Sequence, residues 1–112
     1  MAQHKHYHQI LEEIVKRHAQ FQPANGQIQT HAVCDGENDE YMVIDSGWNE
    51  KGRRIYDVVL HFRLQNGRVS VERDNTDAEV VRELLESDVG EGDINLAYNP
   101  VPYQQINGLI VA

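Results

Sequence analysis

Apolar side chains recur at three- and four-residue steps near the start of the chain. Tyr7, Ile10, Leu11, Ile14, Val15 and His18 share one face, with Glu12, Glu13, Lys16 and Arg17 between them. This period predicts an amphipathic helix from about residue 3 to 20. Glu12 and Glu13 precede Lys16 and Arg17 by four residues, so each pair can meet across one helical turn and add ~0.2–0.5 kcal/mol. Pro23-Ala24-Asn25-Gly26 then ends the helix.

The period next changes to two. Ile28, Thr30, Ala32 and Cys34 alternate along a strand predicted over 27–35, and after a polar turn 40–48 reads as a second strand rich in β-branched and aromatic residues. A third, 53–65, places Tyr56, Val58, Leu60, Phe62 and Leu64 on one face and Asp57, His61 and Arg63 on the other. Asn66-Gly67 readily takes the positive φ angles of a two-residue hairpin turn, which joins this strand to Arg68-Val69-Ser70-Val71-Glu72. Three such connections in succession predict an antiparallel meander in the order 1-2-3-4. Thr76-Asp77-Ala78-Glu79 has the spacing of a capping box, and Val80, Val81, Leu84 and Leu85 give the following helix one apolar face. Ile94, Leu96 and Tyr98 suggest a short extended segment, after which Asn99-Pro100-Val101-Pro102 excludes a helix. The tail Leu109-Ile110-Val111-Ala112 is apolar enough to dock on its own sheet or to pair with a second copy. The expected fold is therefore α+β: an N-terminal helix on a four-stranded antiparallel meander, with a second helix and an extended C-terminal segment, in one domain spanning 1–112.

Composition narrows the function classes. A chain of 112 residues, 40% hydrophobic and 25% charged, can bury a self-sufficient core. The apolar runs fall well short of the ~20 residues that cross a bilayer, and Met1-Ala2-Gln3-His4-Lys5-His6 lacks a signal-peptide core. One cysteine, Cys34, forms no internal disulfide and is expected to be a small buried side chain. A cytoplasmic protein is the simple reading. Ten Lys and Arg against eighteen Asp and Glu give a net charge of −8, which repels a polyanion unless the cations cluster. The one dense group, Lys51-Gly52-Arg53-Arg54, is flanked by Glu50 and Asp57 and reads first as a solvated hairpin turn.

Candidate chemistry is sparse. His4 and His8 stand four residues apart on a helix, a spacing used by metal ligands, but zinc needs three or four fixed ligands and a polar helix surface explains them better. Asp74, Asp77 and Glu79 are accounted for by turn and capping chemistry. Cys34 and Ser46 lack a nucleophile signature, His31 and His61 fall on different strands, and neither a P-loop nor a G-x-G-x-x-G turn is present. No catalytic residue, cofactor or metal is expected. Trp48, the sole tryptophan, is expected in the core, with a contact patch as the other reading.

Several stretches together resemble the XisI family, the fdxN element excision controlling factors of cyanobacteria. They are Gly47-Trp48, the run Gly67-Arg68-Val69-Ser70-Val71-Glu72-Arg73-Asp74-Asn75-Thr76-Asp77, Asp93-Ile94-Asn95-Leu96-Ala97-Tyr98, Pro100 to Pro102, and Ile110-Val111-Ala112. The family has Asp-Gly-Thr where this chain has Asp74-Asn75-Thr76, an aromatic at Ser70 and a basic residue at Gln104. The resemblance implies an accessory role in programmed DNA rearrangement, in which a site-specific recombinase removes an element with help from XisI-like and XisH-like proteins. Taken together with the net charge of −8 and the lack of a recognisable active site, it implies action through protein binding, with a XisH-like protein as partner and a recombinase as a further candidate, no direct nucleic acid and no enzyme activity. A homodimer or higher homo-oligomer is expected, because exposed strand edges and the apolar tail need cover. The candidate partner contacts are Trp48, Lys51, Arg53, Arg54, Asp74 and Tyr103. The rival reading is a direct DNA-binding accessory protein that uses Lys51, Arg53 and Arg54.

Overall fold

The computed structural model describes residues 2–21, 27–76 and 78–106, with side chains from Tyr7 onward. The chain runs α1 (Ala2–His18), β1 (Gln27–Asp35), β2 (Glu40–Trp48), β3 (Arg54–Gln65), β4 (Arg68–Asp74), α2 (Val80–Glu86), a 3₁₀ turn (Glu91–Asp93) and β5 (Ile94–Leu96). The strands form one sheet in the order β1-β2-β3-β4-β5. The first four make the expected antiparallel meander. The extended segment at 94–96 becomes a fifth strand, parallel to β4. Sequence reading left this addition out, because three residues carry too little alternation to announce a strand.

The turn foreseen from glycine chemistry forms as the backbone requires, and a second glycine, Gly47 within β2, proves equally constrained. Asn66 and Gly67 take φ of 53° and 76°, the pair of left-handed residues that matches a two-residue turn to the twist of its strands. Gly47 has φ of 145°, and a Cβ there would lie 1.9 Å from the Gln27 carbonyl oxygen. Only glycine lets β1 approach β2 at that point.

One row of side chains crosses all five strands. Cys34 faces Tyr41, Tyr41 faces Phe62, Phe62 faces Val71, and Val71 faces Leu96. Next to it runs Leu64, Val69 and Ile94. α1 lays Tyr7, Ile10, Leu11, Ile14 and Val15 over this face, and α2 adds Val80 and Leu84 to the same core. Polar ties lock the layers. The Tyr7 hydroxyl donates to Asp93 Oδ2 at 2.6 Å and accepts from the Gly90 N–H at 3.0 Å, fastening α1 to the turn before β5. Burial, reinforced by the Asp93 carboxylate, pushes the Tyr7 phenol above its ordinary range. Arg17 and His18 both reach Glu83, at 2.7 and 2.9 Å, and fasten α1 to α2.

Four expectations are corrected. Tyr56 does not join Leu60, Phe62 and Leu64 in the core; it is 71% exposed. Val43 pairs with Leu60 and Ile44 with Val58, so Val59 is an extra residue, and this bulge reverses the facing of everything before it on β3. Trp48 is 50% exposed rather than a core anchor, because Tyr41 and Val43 point inward and an even-numbered residue of β2 points the other way. Cys34 is exposed, as β1 is the edge of the sheet. The capping box does not close: the Thr76 hydroxyl donates to Asp74 Oδ1 at 2.7 Å and accepts from the Ala78 N–H at 3.2 Å, so α2 starts only after Glu79, without a side-chain cap. The remainder of that motif at Asp77, the proline-containing turn at 23–26 and the apolar tail lie outside the described residues.

Two stability measurements check this architecture. Gly47→Ala should lower the unfolding free energy by at least ~1–3 kcal/mol, from backbone strain alone, in a urea titration. Phe62→Ala should cost about 3–5 kcal/mol, while Tyr56→Ser should stay within about 0.5 kcal/mol in dilute solution. A core-sized loss for Tyr56→Ser would refute the bulge at Val59.

Candidate functional site

Two surfaces carry chemistry that folding does not use up. The first is the face of the sheet opposite the helices. Strand pairing lines up Val33, Met42 and His61 in one row, His31, Ile44 and Val58 in the next, then Gln29, Ser46 and Tyr56, and finally Gln27, Trp48 and Arg54. Met42, Ile44 and Val58 are half-buried among their neighbours, while Val33, Trp48 and Tyr56 are exposed.

Charge divides the two ends of this face. At the Trp48 end the Arg54 guanidinium lies 5.7 Å from the Trp48 ring centre and 5.9 Å from that of Tyr56, and its Nη1 donates to the Gly47 carbonyl at 3.3 Å. Such a cation on aromatic faces is held in place while remaining open to a partner. The adjoining loop is organised by Asn49, whose Oδ1 accepts the N–H groups of Lys51 and Arg53 at 2.9 and 3.0 Å. Gly52, with φ of 77°, completes the reversal that holds Lys51 and Arg53 beside Arg54.

At the opposite end Glu40 accepts from His61 Nε2 at 2.6 Å and from Arg63 Nε at 2.9 Å. Asp35 Oδ1 accepts the N–H groups of Glu37 and Asn38, and Oδ2 the Asn38 side-chain amide. The Asn38 amide first, then the backbone donors, hold the Asp35 carboxyl below the ordinary aspartate range. Below this turn, Tyr41 bridges His8 Nδ1 at 2.6 Å and Asp39 at 3.1 Å, so His8 is engaged in packing α1 to β2.

The second surface is acidic. Nine of the eighteen carboxylate residues fall within residues 72–93, against two arginines, Arg73 and Arg82. Among them, Glu86, Asp88 and Glu91 are exposed. A groove of about 410 Å³ is lined by Asp74, Glu79, Val81, Arg82, Leu85 and Tyr98. Leu85 and Tyr98 are 38% and 46% exposed, an apolar floor within a charged rim. Burial, and then the charge of Asp74, raise the Tyr98 phenol above its ordinary range.

Of the six candidate contacts, the structure brings Trp48, Lys51, Arg53 and Arg54 to one end of the outer face. Asp74 lies apart, in the acidic groove, its Oδ1 accepting from the Thr76 N–H and hydroxyl. Tyr103 stands exposed in the turn after β5. His31 and His61 do not meet, since β2 separates their strands. Sequence reasoning missed Tyr56, Met42, Ile44, Leu85 and Tyr98. A signal for the outer face was present in Tyr41-Met42-Val43-Ile44, where apolar residues occupy both parities of a strand and so both faces of the sheet.

Comparison with known proteins gives a consistent answer. The sequence pattern of the XisI protein family matches residues 1–111. The crystal structure of the fdxN element excision controlling factor XisI from Anabaena variabilis is similar in fold, with a TM-score of 0.79, 23% identity, and coverage of 98% of this chain and 99% of that one. A XisI-like protein from the same organism also superposes with a TM-score of 0.79 and 23% identity, over 88% of this chain and 89% of its own. No curated protein matches.

The acid hairpin yields a pH prediction. A carboxyl depressed in the folded state stabilises the turn above the ordinary aspartate pKa, and that contribution is lost as pH falls through the folded value. In an NMR titration Asp35 should therefore titrate below the ordinary value of 3.8, and Asn38→Ala should move it back up.

Proposed function

Because the chain belongs to the XisI family, we propose that it is a controlling factor for excision of a DNA element, acting in the cytoplasm by binding another protein and without catalysis of its own. The observation that carries this reading is the acidic segment 72–93 with its apolar-floored groove. Carboxylates at the rim steer a basic partner and set its orientation, while burial of Leu85 and Tyr98 supplies the adhesion. A XisH-like protein is the proposed partner, presenting a basic surface that the acidic chain covers.

A second reading is favoured by one specific arrangement. Exposed Trp48 and Tyr56 flank Arg54 beside Lys51 and Arg53, the combination of stacking rings and cations that suits single-stranded DNA. The net charge of −8 opposes it.

Calorimetry separates the two. Titration with a purified XisH-like protein should give binding at micromolar or lower concentration, and Glu86→Lys combined with Asp88→Lys and Glu91→Lys should weaken it by about tenfold or more. Absence of heat, or binding indifferent to those reversals, would reject the acidic segment 72–93 as the contact. Tight, salt-sensitive binding of a labelled oligonucleotide by the chain alone, lost in Arg53→Glu, would favour the second reading.

A further inference from the structure

The acidic groove leaves the outer face of the meander unexplained, and that face has features of its own. β2 is apolar on both sides: Tyr41 and Val43 point into the core, Met42 and Ile44 away from it. A strand built this way belongs to a sheet covered on both faces. The helices cover only one of them. On the other, Val33, Met42, Ile44, Val58, Tyr56 and Trp48 form a contiguous apolar field across β1, β2 and β3.

We propose that this face packs against the same face of a second copy, strands antiparallel, so that the basic loop of each protomer lies over the acid hairpin of the other. Charge selects both the occupant and its orientation. A two-fold axis lying in the interface can run along the strands or across them. Along the strands, Lys51, Arg53 and Arg54 would meet their own copies, and Asp35 and Glu37 theirs, placing like charges together at each end; Glu40 is already taken up by His61 and Arg63. Across the strands, the cations of one protomer face the carboxylates of the other, and both ends are complementary at once. The apolar rows then meet in the middle as two stacked sheets, Ile44 close to the axis. The surface already carries both halves of its own complement.

Sedimentation equilibrium and acrylamide quenching of Trp48 test the arrangement. The wild-type chain should sediment with twice the mass of one chain as concentration rises through the micromolar range, and Trp48 should become protected over the same range. Ile44→Lys and the edge-strand variant Val33→Lys should remain monomeric with Trp48 open, their circular dichroism unchanged. Arg53→Glu with Arg54→Glu should weaken the dimer by about tenfold, and adding Asp35→Lys with Glu37→Lys to that same chain should restore it. Association of the Arg53→Glu, Arg54→Glu variant as tight as that of the wild type, or tighter, would overturn the antiparallel arrangement, because only cations facing carboxylates require the reversal to weaken it. A dimer indifferent to Ile44→Lys and Val33→Lys would overturn the interface. A wild-type chain that stays monomeric and binds an oligonucleotide through Trp48 and Tyr56 would assign the face to nucleic acid instead. None of these variants touches the acidic segment 72–93 or the lining of its groove, so the outcome is independent of partner binding there.

Discussion

The sheet turns on the bulge at Val59. One extra residue in β3 keeps Leu60, Phe62 and Leu64 under the helices while turning Tyr56 and Val58 to the far side. A bulge frees backbone groups from the ladder, and here they are taken up. Arg73 Nε donates to the Val58 carbonyl at 2.7 Å and the Asn75 N–H to the Val59 carbonyl at 2.8 Å. The end of β4 thus stabilises the irregularity of β3. With those bonds in place the protein keeps a dense core on one side and gathers an aromatic, partly apolar surface on the other.

The core side is closed by few polar contacts at its margins. Tyr7 with Asp93 and Gly90 ties the start of α1 to the 3₁₀ turn, and Arg17 and His18 with Glu83 tie its end to α2. These contacts consume charge that would otherwise face solvent. What is left is uneven. Carboxylates remain along α2 and the turn after it, cations remain in the loop between β2 and β3, and the hairpin between β1 and β2 is acidic again. The molecule therefore offers distinct charged regions, although its net charge alone describes only the first.

For a XisI-family protein this layout keeps the surfaces of the two proposed tasks apart. The acidic groove is the surface proposed for a basic protein partner and the outer face the one proposed for self-association, with a basic-aromatic corner shared between the second proposal and the alternative contact with single-stranded DNA. Both proposals rest on shape, apolar area and the sign of the charge around each surface.

Local patterning determined a great deal. The helical period of residues 7–18, the alternation of the strands and the Asn66-Gly67 turn are short-range properties of the backbone, and they led directly to an N-terminal helix on an antiparallel meander. The run from Gly67 to Asp77 and the other quoted stretches pointed to the family for the same reason: they are constraints written in neighbouring residues. Tertiary structure alone decided which way Tyr56 and Trp48 face, that β5 joins β4 in parallel, and that the Thr76 hydroxyl serves Asp74 instead of a helix cap. Each depends on a partner distant in sequence or on a shift of register, and a one-residue slip in a sheet exchanges inside for outside without changing the composition of the strand.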